Sequence, residues 1–224
     1  MAPAKGRFQQ SETLPVGILL ALSGGYMDAY TYLFRDHVFA NAQTGNLVLF
    51  AVNLSEGRLL DCLRYLVPVL AFGAGVFLAQ AVRLRFPNRP QVHWRQAALV
   101  VEILILSAVG FLPVEVNLLA NSLVSLACGI QVQSFRKVWG KGLATTMCIG
   151  NFRTATDSLC SYFYQRQPEQ RRTALLYYGM IAVFLLGAVL GNLGVKCLGA
   201  GAIWASALLL AAAFALMCRP VPDL

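Results

Sequence analysis

Asp28 is the residue with the most chemical potential in this chain. It sits midway along an apolar run, Leu14–Phe34, with no basic residue within one helical turn. If that run crosses a bilayer, a charge at its centre costs about 3 kcal/mol or more, so it is read first as functional. The competing reading is a structural hydrogen bond to a neighbouring turn. A second set is Thr44, Asn46 and Asn151, in Thr44-Gly45-Asn46 and Ile149-Gly150-Asn151. Thr and Asn are helix N-cap types. A helix N-terminus presents free N–H groups and partial positive charge, which suit an anion or a polar group. Capping alone explains these residues equally well.

Three further groups belong with them. Gln131 and Gln133 are polar residues within an apolar run, and helix-to-helix hydrogen bonding is an equal account of both. Arg153 and Asp157 are spaced i,i+4 and share a helix face, as a substrate clamp or as an ion pair closing the helix on itself. Glu102 also lies in an apolar run, where it could relay protons or pair with an arginine near the helix end. Gly187-x-x-x-Gly191 is a small-xxx-small motif that can serve an intramolecular contact or a homodimer.

No nucleophile–base pair, Gly-rich phosphate loop or metal-spaced cluster is present. His37 and His93 are the only histidines, both in loops, and the six cysteines form no CxxC pair. The expectation is no catalytic residue, no enzyme, no metal and no cofactor. The net charge of +8 flanks apolar runs, which points to membrane topology rather than nucleic acid.

These residues need elements to hold them. The chain has 224 residues, 58% hydrophobic and only 12% charged, with mean hydropathy +0.62. Its apolar residues fall in blocks near the length of about 20 residues that a bilayer demands. Leu14–Phe34, Leu63–Val82, Gln96–Leu112, Val116–Phe135, Thr173–Val195 and Leu198–Met217 are such blocks. Backbone polar groups in lipid must be paired internally, so the blocks are helices. Thr44–Leu54 and Asn151–Tyr164 are too short to cross and each follows an extended-looking stretch, so both are predicted as re-entrant half-helices.

A shift of 105 residues superimposes the first three blocks on the last three, with Gly24 on Gly129, Asn46 on Asn151 and Gln133 on Asp28. Arg153 and Asp157 fall on Val48 and Val52, so that pair is unique to one half. If six blocks cross and two segments are re-entrant, only Arg35, Arg58, Arg64 and Lys196 lie on one side. The other side receives 14 of the 18 basic residues, which by the positive-inside rule is cytoplasmic and carries both termini. Three crossings per half is an odd number, so the halves are inverted.

The expected fold is an all-α integral membrane protein: six spanning helices plus two re-entrant half-helices in two inverted repeats. Its expected parts are a flexible cytoplasmic N-terminus (1–13), a first repeat (14–112), a connector (113–118), a second repeat (119–217) and a cytoplasmic tail (218–224).

Two stretches carry a resemblance. Gly24-Gly25-Tyr26-Met27-Asp28-Ala29, and then Val38-Phe39-Ala40-Asn41-Ala42-Gln43-Thr44-Gly45-Asn46, resemble the YoaK family of bacterial membrane proteins, a domain of unknown function. Gly129-Ile130-Gln131 matches a later Gly-x-Gln of the family, and the resemblance runs from about Leu14 to Met217. The chain has Ile149 where a second Thr-Gly element is expected. The resemblance implies a multi-span protein of the bacterial inner membrane and no settled activity. Function then rests on the residues: a small-molecule or ion transporter or channel, with a midplane site between two half-helices. The alternative is a non-transporting membrane scaffold or accessory subunit. Beyond the lipid bilayer, no partner or substrate is named by the sequence.

Overall fold

The computed structural model describes residues 10–85 and 94–219. Most of the expected N-terminal segment, the loop containing Arg89 and His93, and the tail from residue 220 lie outside the described residues. Eight α-helices account for most of the described chain: α1 Leu14–Phe34, α2 Gln43–Ser55, α3 Leu59–Arg85, α4 Trp94–Val109, α5 Asn117–Ser134, α6 Cys148–Gln165, α7 Pro168–Leu198 and α8 Ile203–Met217. The sequence gives no sign of one addition, a two-residue hairpin, β1 Lys137–Val138 with β2 Lys141–Gly142.

The architecture is that of an all-α membrane protein. Leu59–Arg85, Val114–Ser134 and the run Pro168–Met217 are long and apolar enough to cross a bilayer. Large apolar side chains face outward on them: Phe77 is 72% exposed, Leu70 62% and Leu208 71%. In water such a surface would drive association; in lipid it is the solvated surface. The interior is built from Leu20, Met27, Tyr30, Leu99, Leu106, Val124, Cys128, Ile203 and Leu210.

Two ends of the bundle are defined by side-chain bonds. At one end Arg95 bonds Ser11 and Glu12, the Trp139 N–H donates to the Glu12 carbonyl, Gln10 bonds the Arg219 carbonyl and Lys141 pairs with Glu169. At the other, the Arg35 guanidinium bonds the carbonyls of Val109, Leu112 and Pro113, and Tyr30 bonds that of Ala200. The chain starts of α1 and α4 thus sit with the end of α8, and the 109–117 connection sits opposite.

α1 packs on α7 and α8, and α5 packs on α3 and α4. α2 lies on α3 as α6 lies on α7, while α4 and α8 pack against each other. Exchanging the first four helices for the last four leaves this set of contacts unchanged.

Glycines make the correspondence residue-specific. A side chain at Gly25 would strike the backbone of Phe184 and Ala188; one at Gly129 would strike Phe72 and Val76. Gly187 lies against the Leu22 carbonyl as Gly75 lies against that of Leu126. The matched positions differ by 104 residues between α1 and α5, and by 112 between α3 and α7. The uniform shift of 105 is therefore seven residues short for α3 and α7. The longer α6 (18 residues against 13 for α2) absorbs most of that difference. Seven residues is close to two helical turns, so the apolar faces stay in phase and the ungapped alignment conceals the slip.

Candidate functional site

After α1 ends at Phe34 the chain turns back. Val38 is buried, and by Asn41 it has returned to the middle of α1. There the Asn41 backbone N–H donates to Asp28 Oδ1 at 2.7 Å, and its side-chain amide donates to the Gly24 carbonyl at 3.1 Å. The backbone N–H groups of Ala40 and Ala42 also face the Asp28 carboxylate. α2 then starts at Gln43, halfway along α1. In the second half the chain leaves the hairpin, buries Leu143 and reaches the same level. Thr146 Cγ2 packs against Gly24 so closely that a Cβ there would lie 2.6 Å away. α6 starts at Cys148.

A half-open cavity of about 370 Å³ lies between the two arms. Gln43 and Thr44 from the first turn of α2 line it, with Cys148, Ile149 and Gly150 from the first turn of α6. Asp28 and Asn41 line it on one side, Thr146 and Met147 on the other, and Phe72 and Phe184 complete the lining. Phe72 and Phe184 are counterparts under the 112-residue correspondence, so the cavity straddles the line relating the two halves. Asn41 Oδ1 and Thr146 Oγ1 are buried without a hydrogen-bond partner among the described residues. Two helix N-termini and one carboxylate thus border one space, and two residues of its lining each carry a buried, unpaired oxygen. Such a space can bind a small polar or charged group and exchange a proton with it.

Asn46 and Asn151 do not cap. Each is the fourth residue of its helix, because the helices start earlier than the Gly-Asn pairs suggest. Instead each reaches back seven residues to brace the incoming arm. Asn46 Nδ2 donates to the Phe39 carbonyl at 2.7 Å, and Asn151 Nδ2 to the Ala144 carbonyl at 2.7 Å. Asn46 makes two more bonds, accepting the Phe39 N–H at 3.0 Å and donating to Gln43 Oε1 at 2.9 Å. Both side chains hold the cavity's walls rather than line it. Thr44 lines the cavity and is exposed.

The remaining candidates lie apart from the cavity lining. Gln131 is fully buried and donates to the Leu20 carbonyl at 3.1 Å. Gln133 turns to α3, where it meets Gln80 at 2.6 Å. By the glycine correspondence Val132, not Gln133, stands where Asp28 does. Arg153 and Asp157 are both exposed, and no ion pair joins them among the described residues. Glu102 is wholly buried with neither carboxylate oxygen bonded among the described residues, and it lies near Cys128, which packs against Met27. The Gly187-x-x-x-Gly191 motif serves the contact of α7 with α1, against Leu22 and Tyr26.

The sequence pattern does not mark Asn41, Thr146 or Arg35 as site residues. The one signal for Asn41 is its place inside the motif that carries the family resemblance.

A family model described as a protein of unknown function, DUF1275, matches residues 16–216. The chain belongs to this family. It is 25% identical over 181 residues to the UPF0700 transmembrane protein YoaK of Bacillus subtilis (strain 168), covering 77% of this chain and 79% of that protein. No solved structure matches. The motif residues that line or brace the cavity, Asp28, Asn41, Ala42, Gln43, Thr44 and Asn46, fall within the matched region of this DUF1275 chain.

Proposed function

We propose that this protein is a small-solute or ion transporter or channel rather than an enzyme, with its pathway through the cavity between the first turns of α2 and α6. It crosses the bacterial inner membrane six times, with α1, α3, α4, α5, α7 and α8 as spans. α2 and α6 are re-entrant half-helices, and the halves are inverted repeats with both termini cytoplasmic. One observation carries the reading: both arms return to the level of Gly24–Asp28, halfway along α1, before their helices begin. Broken helices whose N-termini meet mid-membrane at a repeat interface are the usual construction of a transport site. The exchange of contacts between halves supports the repeat, and the sequence count that assigns 14 of 18 basic residues to one side supports the orientation.

In this reading Asp28 is the group that gains and loses charge, and Asn41 and Thr146 are the polar contacts. The non-transporting scaffold keeps one observation in its favour, because the Asp28–Asn41 bond ties a loop to a helix without any ligand. Proteoliposome flux separates the two. Labelled chloride, nitrate, acetate, sodium, potassium and neutral amino acids form the first panel, with pH gradients of both signs. Transport above protein-free vesicles, lost in Asp28→Asn, supports the proposal. A correctly inserted protein with no flux for any probe, and no probe-induced change in thermal stability, leaves the scaffold reading standing.

A further inference from the structure

The hairpin walls a second space, distinct from the cavity. Val138 and Lys141 are paired around a two-residue turn, Trp139-Gly140, and both turn residues have positive φ, 51° and 70°. That is the turn twist two-residue hairpins prefer, but its first position normally takes Asn, Asp or Gly. A bulky residue there is strained. The hairpin is nevertheless firmly set: Val138 is buried against Gly17, the Tyr177 hydroxyl donates to the Gly142 carbonyl at 2.7 Å, and the Trp139 N–H is held by the Glu12 carbonyl. The ring of Trp139 is left 53% exposed. Strain held in place by its surroundings is a feature to be explained by use.

Trp139 lines a groove of about 900 Å³ between α1 and α7. Its mouth carries Lys141, Glu169 and Arg172, and its walls are Leu14, Ile18, Leu175, Leu176, Gly179, Met180 and Val183. Lys141 pairs with Glu169 at 2.7 Å, and Arg172 also acts on that carboxylate, so the lining carries two cations against one anion and keeps a net positive charge. From Arg172 to Val183 the groove runs about 16 Å along α7. That is one leaflet of a hydrocarbon core about 30 Å thick. The first half differs at the matching positions: the residue matching Arg172 on α3 is Leu60, and the turn at 35–42 has no hairpin.

We infer that this groove binds an anionic phospholipid, its phosphate at Arg172 and Lys141, its glycerol region beside the Trp139 ring and one acyl chain along α1 and α7. The charge pattern selects the headgroup. The apolar walls and single-leaflet length select a lipid over a soluble phosphate. A tryptophan at the level where charge gives way to apolar wall is the usual membrane-interface anchor. The inference is independent of the transport reading and stands or falls without it.

The test uses the full chain in detergent, with added phosphatidylglycerol, phosphatidylcholine of the same acyl chains, or sn-glycerol 3-phosphate. Binding is read by native mass spectrometry and by the thermal unfolding midpoint. Phosphatidylglycerol should bind more tightly than phosphatidylcholine, by about fivefold for each basic contact used. Arg172→Ala should remove about fivefold of that preference, and Lys141→Ala with Arg172→Ala should abolish it. Trp139→Gly relieves the turn and removes the ring. It should fold at least as well yet retain less lipid of either kind, which guards against the basic variants failing through misfolding. Equal binding of the two lipids overturns the inference, as does a preference that survives the double substitution. Equal stabilisation by sn-glycerol 3-phosphate overturns it too, because the acyl groove would then be idle.

Discussion

Asp28 Oδ1 accepts the Asn41 backbone N–H at 2.7 Å, and this bond sets the depth at which α2 begins. A loop that returns into an apolar bundle carries backbone donors that water cannot reach, and each must find an acceptor. Asp28 supplies one acceptor group for the N–H of Asn41 and faces those of Ala40 and Ala42. One carboxylate thus shapes the arm and lines the cavity the arm borders.

Asp28→Asn is therefore expected to insert and fold. Its amide oxygen still accepts a hydrogen bond, but without the charge that roughly doubles such bonds, so stability should fall by about 1 kcal/mol. Transport, or its dependence on a pH gradient, should be lost. Thermal unfolding in detergent and flux in proteoliposomes report the two effects separately. Normal flux at every pH in this variant would remove Asp28 from the coupling role and leave Asn41 and Thr146 as the polar contacts to test.

The two bracing asparagines should rank unequally. Asn46 makes three hydrogen bonds to its arm and neighbouring turn, and Asn151 makes one. At about 1 kcal/mol per bond, Asn46→Ala should cost about 3 kcal/mol and Asn151→Ala about 1 kcal/mol. Chemical denaturation of the two variants side by side decides it. Equal costs, or the reverse order, would show that the shared seven-residue brace governs both sites and the extra bonds of Asn46 contribute nothing.

Much of this fold was legible because lipid imposes simple rules. Length and hydropathy place α1, α3, α4, α5, α7 and α8 to within a few residues, and the Gly-Asn pairs locate both arms. Local cap preference misled at Asn46 and Asn151, because the same side chain can bond forward to its helix or backward to its arm. Only the packed arm favours the second. The 105-residue shift failed at α3 and α7 for a different reason: a slip of two turns preserves every apolar face and is invisible to pattern. Arg35 could not be found at all. A lone arginine at a helix end reads as a topology charge, and its burial depends on carbonyls from a connection 74 to 78 residues away.

Close packing along α1·α7 and α3·α5 should respond to added methyl groups at specific glycines. Gly25→Ala and Gly129→Ala press against helix backbone, which cannot move aside as a side chain can. Each should lose about 2–3 kcal/mol, the cost of overpacking a tight contact. Gly73→Ala and Gly179→Ala meet nothing within 4 Å and lie in helices. They should be neutral or gain up to about 1 kcal/mol from helix propensity. Thermal midpoints of the four purified variants test the contrast, and a stable Gly25→Ala would contradict the packing of α1 on α7.

Arg35 has no exposed surface and bonds five acceptors: the Tyr30 hydroxyl, the Asn117 amide oxygen and the carbonyls of Val109, Leu112 and Pro113. It pins the end of α1 to the connection between the halves. Arg35→Met strands those acceptors and should cost about 3–5 kcal/mol, seen as poor accumulation in the membrane. Arg35→Lys keeps the charge but not the planar fork, and should fall between. Wild-type abundance and thermal stability in Arg35→Met would show that the halves associate without this tie.

Native cysteines offer a direct test of topology. Cys197 and Cys218 are both exposed, Cys197 just before the turn at Gly199–Ala202 and Cys218 just after α8. They therefore lie at opposite ends of the bundle, with Cys197 near the Arg35 end and Cys218 near Gln96 and the Gln10–Arg219 contact. If both termini are cytoplasmic, a variant keeping only Cys218 should react with a membrane-impermeant maleimide in inside-out vesicles and not in intact cells. A variant keeping only Cys197 should show the opposite pattern. Labelling of both from one side would break the six-crossing arrangement, since α8 would not span. Labelling from opposite sides but with the pattern reversed would keep the spans and invert the orientation, placing the 14 basic residues outside against the positive-inside rule.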